Sequence, residues 1–199
     1  KIIINSNLTD EEAFAAEASL INAFNYVGDA GLTNIVVGHH SAEALSVDEY
    51  ERINGAAPLE EKDIRHKILV IKINRLYQRG MDEKVLYDAV RGVWRASKEK
   101  VRTVEYVFGV YNSLIVAVYK PSEWFVCKEA KDKLPRQDIV LTPKTENRLF
   151  FVDERYEQGF PLDENESFYI GKSIAGLKLK QSAQNLITYL YPLEKDKSH

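Results

Sequence analysis

The chain is poor in sulfur, with one cysteine (Cys127) and one methionine in 199 residues. A lone cysteine excludes an intramolecular disulfide and suits a reducing, cytoplasmic setting. No run of about 18 apolar residues exists, so no segment is suited to span a bilayer and no membrane partner is expected. The start, KIIINSNLTDEE, turns acidic too soon for a signal peptide. Its first residue is lysine, from which the sequence is expected to be a piece of a longer chain. Several chemistries also lack their residues. There is no glycine-rich phosphate loop, no dinucleotide fingerprint, no Ser-His-Asp arrangement and no Cys-His pair in a catalytic context. Adjacent His39 and His40 have no further ligand at helical spacing and no cysteine nearby, so they do not define a metal site.

What is there is an ordinary globular composition, 45% hydrophobic and 29% charged, in a chain long enough for one large or two small domains. The net charge of −3 hides an asymmetry. Residues 1–64 carry 3 basic against 12 acidic side chains (net −9), residues 65–136 carry 16 against 8 (net +8), and residues 137–199 carry 8 against 10 (net −2). A basic middle next to an acidic start points either to an anionic partner for the middle or to mutual attraction of the two parts.

Residues 1–5 read as a short strand. Thr9 and Glu12 form a capping box that starts a helix running to about Asn25. On its wheel Glu17 is flanked by Phe24, Ala13, Ile21, Leu20 and Phe14, all within about 60°, so the carboxylate is expected at the centre of the apolar face. An unpaired charge there is costly without a partner or a metal. Ser46 caps a second helix over 46–54, and GAAPLEEKD reads as a linker with a domain boundary near residues 56–65.

The middle opens with a β-branched strand, Ile68 to Ile73. A helix starts at Gly80 and Asp82, with Val85, Leu86, Ala89, Val90, Val93 and Trp94 as its apolar face and Lys84, Arg91, Arg95 and Lys98 opposite. Arg91-Gly-x-Trp is a candidate phosphate holder, since the glycine leaves the backbone open, with an ordinary helix end as the other reading. Tyr106–Tyr111 and Leu114–Tyr119 predict a hairpin turning at Asn112-Ser113. Trp124 is expected to plug the core edge and 128–137 to be a charged loop or short helix. Strands are expected at Asn147–Asp153, Phe168–Gly171 and Leu186–Tyr191, with FPLDENES as a polar turn and a disordered tail. The expected fold class is α+β. A short helical part, 1–60, joins a β-rich module, 66–192, followed by a tail, 193–199. The module is expected as a mixed, mostly antiparallel sheet or open PUA-like barrel with one packed helix.

Several of these stretches resemble a known family. FYIGKS at 168–173 invites comparison with the YIG half of the GIY-YIG nucleases, but the residues that follow, IAGLKLKQSAQN, lack the arginine that family needs, so this copy is not the active site. EEAFAAEASLINAFN followed by LTN resembles the second half of a GIY-YIG domain. VIKINR (70–75), LYDAVRGVW (86–94), SLIVAVYKPSEW (113–124), YIGKS (169–173) and AQN (183–185) resemble motifs of bacterial proteins that join such a domain to a second module. The resemblance implies a nucleic-acid-processing endonuclease in which Glu17 binds Mg2+ or Mn2+ and Asn34 supports it. Arg91, Arg95, Lys98 and Lys172 would hold the backbone of the partner, nucleic acid and foremost DNA, with Trp94 and Trp124 as structural supports. The family's tyrosines and catalytic arginine belong before Glu17, where only sixteen residues stand, so the chain as given is expected to bind without cutting. Its missing nuclease half is then a possible partner. The alternative is a non-catalytic regulatory module that docks a protein or RNA. Tyr77, Tyr111 and Tyr119, with the two tryptophans, suit stacking on bases and equally suit a core.

Overall fold

The computed structural model describes residues 8–27, 46–136, 138–179 and 186–193, with backbone only for 22 and 24–27. The expected strand at 1–5, Asn34, the histidine pair and the tail from 194 lie outside them. The chain divides into two compact units, Lys1–Arg52 and Ile53–His199.

In the first unit, helix α1 covers Asp10–Val27, and α2, Val47–Asn54, runs across the boundary after Arg52. The capping box is formed: the Thr9 amide donates to Glu12 Oε2 at 2.9 Å and the Glu12 amide to Thr9 Oγ1 at 3.3 Å. Ser46 caps α2 through the Glu49 amide at 3.2 Å. Glu17 departs from expectation, because its side chain is exposed while Ala18 and Ile21 are the buried ones among the described side chains of α1. Phe14 and Leu20 remain about as open, at 43% and 40%. On the helical wheel the mean direction of Ala18 and Ile21 lies about 70° from Glu17.

The second unit starts earlier than composition suggests. Leu59 and Ile64 are buried in its core, so GAAPLEEKD is a packed segment and not a free linker. Strand β1 (Ile68–Lys72) is followed by α3 (Glu83–Arg91), α4 (Lys98–Val101) and β2 (Tyr106–Tyr111), which pairs parallel to β1 as a parallel crossover requires. Strand β3 (Leu114–Tyr119) returns antiparallel through Asn112 and Ser113, both at positive φ (44° and 68°), the geometry that matches strand twist in two-residue hairpins. Strands β4 (Glu123–Val126) and β5 (Leu149–Val152) form a separate antiparallel pair. Helices α5 (Glu154–Glu157) and α6 (Glu164–Tyr169) precede β6 (Ile187–Leu190). The larger sheet runs β3-β2-β1-β6, mixed and open.

Alternation along β1 explains the two sides of the sheet. Ile68 and Val70 join Phe108, Val110, Ile115, Val118 and Tyr169 on one side, and Leu69 and Ile71 join Tyr87, Val90, Val107 and Phe151 on the other. Each such side chain contributes about 1.5–3 kcal/mol when fully buried. Two helices thus contribute, α3 to one face and α6 to the other, where one was expected. Residues 161–167 are not simply a polar turn. Asp163 accepts from the amides of Asn165 (2.9 Å) and Glu166 (2.8 Å), and Glu166 accepts from the Asp163 amide at 2.6 Å, which nucleates α6. Phe168 and Tyr169 end that helix, so the expected strand at 168–171 is not formed.

The free edge of β3 is covered by short bridges. The Gly171 amide donates to Ile115 O (2.8 Å), the Ile115 amide to Lys172 O (2.9 Å) and the Ile174 amide to Ser113 O (2.8 Å). Outside this, the Leu59 amide reaches Ser173 O at 2.8 Å and the Ser173 amide reaches Ala57 O at 2.9 Å. No helix among the described residues is long and apolar enough to cross a membrane.

Candidate functional site

Helix α3 is shorter than its apolar pattern. Asp82 caps it by accepting from the Lys84 amide at 2.8 Å, and it ends at Arg91. Val85 is 53% exposed and Tyr87 takes the inward position. The expected basic row therefore does not lie along one helix. Arg91 is on α3, Arg95 follows it in an extended stretch, and Lys98 opens α4.

These cations differ in what they are already doing. Arg91 has a side chain only 12% exposed; its Nε donates to Asp88 Oδ1 at 2.8 Å and its guanidinium reaches Glu157 Oε1 at 3.5 Å. It also lies over the Tyr87 ring, 4.9 Å from the centroid, so its charge is committed internally. Lys172 is half-buried, with its ammonium 3.4 Å above the Phe168 ring, which Arg65 covers at 5.4 Å. By contrast Arg95, Lys98, Lys100 and Arg102 are all exposed, four cations within eight residues, with Glu99 the one acid between them. Arg95, Lys98 and Arg102 form no ion pair with any described residue. Ser97 caps α4 through the Lys100 amide and holds Glu99 at 2.7 Å, a hydrogen bond that keeps the Glu99 carboxyl below its ordinary range.

The two tryptophans are structural in the geometry they adopt. Trp94 exchanges backbone hydrogen bonds with Leu149 (2.7 and 2.9 Å) and its indole N–H donates to Val90 O at 2.8 Å, which ties the end of α3 to β5. Trp124 packs on Phe151, with ring centroids 5.2 Å apart.

Two polar networks carry no obvious sequence signal. The buried Asp153 caps α5 through the Tyr156 amide (3.1 Å), accepts from the Lys120 amide (2.8 Å), and donates its own amide to the Tyr87 hydroxyl (2.7 Å). Burial pushes the Tyr87 and Tyr119 phenols far above their usual range. Around α6, Arg155 donates to Asp163 (3.1 Å) and Glu166 (3.2 Å), the Tyr106 hydroxyl donates to Asp163 (3.2 Å), and His66 Nδ1 is 2.9 Å from the Tyr169 hydroxyl. Desolvation raises the Glu166 carboxyl despite Arg155.

Two clefts open near α3. One of about 820 Å3 is lined by Tyr87, Tyr119, Tyr156, Phe160 and Leu162, with Arg91 and Glu157 at its wall. The other, about 370 Å3, is lined by Trp94, Gly92, Ile139, Val140, Arg136 and Arg148. The described residues do not fit a Mg2+ or Mn2+ site. No group of three or more potential His, Cys, Asp or Glu ligands occurs among them, and Glu17 has no companion there. Comparison with protein-family models, curated proteins and solved structures found no match to this chain.

Proposed function

We propose that the chain is a nucleic-acid-binding protein of the cytoplasm, the distal part of a GIY-YIG-like endonuclease whose β-rich unit positions DNA. The observation that carries this reading is the set Arg95, Lys98 and Arg102, exposed on the turn around α4 beside Lys100, whose ammonium also lies 5.5 Å from the Tyr189 ring centroid, and interrupted by one acid that Ser97 holds. Cations without internal partners are the ones that release counterions from a phosphate backbone on binding. Arg91 contributes to the fold of this surface and not to its free charge. The motif resemblance adds the nuclease class and assigns Glu17 to Mg2+ or Mn2+. Since its companions are not among the described residues, the proposal rests on binding and not on cleavage.

The test is binding of the chain to labelled duplex DNA, single-stranded DNA and RNA across a salt series, with Mg2+ present and cleavage read from the same samples. Affinity for the duplex should fall steeply with salt. Changing Arg95, Lys98 and Arg102 together to glutamine should weaken binding and flatten the log–log salt slope by about three. Preference for RNA would move the reading to the regulatory alternative. No binding at low salt would overturn the nucleic-acid reading and leave a protein-docking module.

A further inference from the structure

The aromatic residues that the sequence offered for stacking lie inside the fold. Tyr111 and Tyr119 are buried, Tyr77 lies against Tyr111 with ring centroids 4.7 Å apart, and both tryptophans pack on the core. Among the described tyrosines of the second unit only Tyr191, just past β6, is exposed, at 52%. Its ring lies nearly parallel to that of Tyr189, with planes 19° and centroids 6.5 Å apart. Tyr189 in turn has the Lys100 ammonium 5.5 Å from its ring centroid. The aromatic pair therefore abuts the exposed basic set. The pairing of β1 with β6 brings a further cation to it. Ile68 faces Leu190 and Leu69 faces Tyr189, so Lys67 and Tyr191 are the next residues at that end of the two strands. Strand alternation puts both on the side of Leu69 and Tyr189, the side that Val101 of α4 packs against. Lys67 is exposed and has no ion pair with any described residue, and Glu105, the acid beside it, accepts the Lys67 amide at 2.9 Å. Phe160, the other exposed aromatic ring of the unit, has different company, because its cleft is walled by Glu83, Asp88 and Glu157.

We propose that the nucleic acid held by this surface is single-stranded, with a base stacked on the open face of Tyr191 and the adjoining phosphates on Lys67, Lys98 and Lys100. Single-strandedness narrows the nucleic-acid reading above and rests on it. Cations alone do not choose between one strand and two, because both present phosphates. An exposed ring does choose. A duplex keeps its base faces stacked on one another, whereas a single strand turns a base out onto an aromatic side chain. Tyr189 behind the ring, with Lys100 beside it, holds this platform in place before a strand arrives. Stacking reads no base edge, so little sequence preference is expected. DNA and RNA strands share this chemistry, and the probes separate them.

The experiment measures binding of the full chain by fluorescence anisotropy to labelled oligo(dT), oligo(rU), an abasic strand and a duplex, all of one length. A base-bearing single strand should bind more tightly than the abasic strand and the duplex, and the tighter of the two identifies the sugar. Tyr191→Ala should weaken that strand about five- to hundredfold and leave the abasic strand and the duplex within about twofold. Tyr191→Phe keeps the ring and should retain the binding. Tyr191 carries no charge, so the salt slope of Tyr191→Ala should match that of the unaltered chain, while the Arg95, Lys98 and Arg102 glutamine variant flattens it. Tyr191→Leu keeps apolar cover on Tyr189 without an aromatic face, and serves as the second variant if Tyr191→Ala fails to fold. Unchanged single-strand binding by a folded Tyr191→Ala or Tyr191→Leu, or a duplex bound more tightly than either single strand, overturns the stacking site. Should the triple variant still weaken duplex binding in that case, the proposed function stands without it. No binding of any probe at low salt overturns both.

Discussion

Replacing Gly109 by alanine tests the contact on which the position of α3 depends. A methyl carbon at Gly109 would lie 2.5 Å from Val90 Cγ2, 3.3 Å from Ala117 Cβ and 3.6 Å from Ile73 Cδ1. Carbon pairs are comfortable at about 3.5–4.0 Å, so Val90 must retreat by about 1 Å. Val90 is fully buried, and its helix is tied to β5 through Trp94, so the retreat strains the packing. Overpacking of this kind costs about 1–3 kcal/mol, offset by about 0.4–1 kcal/mol from a stiffer unfolded chain. A net loss of about 1–2 kcal/mol is expected. Val90→Ala alone should cost about 2 kcal/mol through lost burial and the cavity it leaves. In the double variant the new methyl enters the space that Val90 vacates, so the combined cost should fall short of the sum by more than about 1 kcal/mol. Urea unfolding of the four proteins, followed by tryptophan fluorescence, measures this directly; both tryptophans belong to the second unit and report on it alone. Costs that add to within about 0.5 kcal/mol would refute the steric account.

Two further outcomes follow from local geometry and charge. Ser113 holds a φ of 68°, which costs a non-glycine residue about 1–2 kcal/mol, so Ser113→Gly should raise stability by up to about 1 kcal/mol in the same unfolding assay. A lowered midpoint would mean the serine makes a contact that outweighs the strain. The raised Glu166 carboxyl contributes stability that is full below its unfolded pKa and is lost as pH rises through its folded value. Glu166→Gln keeps an oxygen for the Asp163 amide and should flatten this loss from acid to neutral pH; an unchanged pH profile would remove desolvation as the cause.

Local rules carried far along this chain. Thr9, Ser46 and Asp82 cap the helices they were expected to cap, and the Asn112-Ser113 hairpin and strand β1 fall where alternation and turn chemistry put them. The α+β class followed from that pattern. Failures came where the deciding partner is remote in sequence. Glu17 looked central on its wheel because an isolated helix does not reveal which side is covered. Arg91 is a different case: its main partner, Asp88, stands three residues earlier and was readable as an i,i+3 pair, and only the weaker contact to Glu157 is remote. Phe168 and Tyr169 read as strand by residue type, yet the Asp163-x-x-Glu166 box upstream was a readable helix start.

The covering of the β3 edge sets an order in time. Strand β3 ends at Tyr119, and the residues that close its edge, Gly171 to Ile174, follow by more than fifty positions. At ordinary synthesis rates that is a delay of about 3–10 s, during which an apolar hairpin edge is open to wrong partners. The segment at 57–59, although made long before, has nothing to pair with until Ser173 arrives. This backbone seam therefore joins the earliest residues of the second unit to some of its later ones, before β6 completes the other edge at β1. A nascent chain that stalls before residue 171 would present both open edges of the sheet, at β3 and at β1, to chaperones.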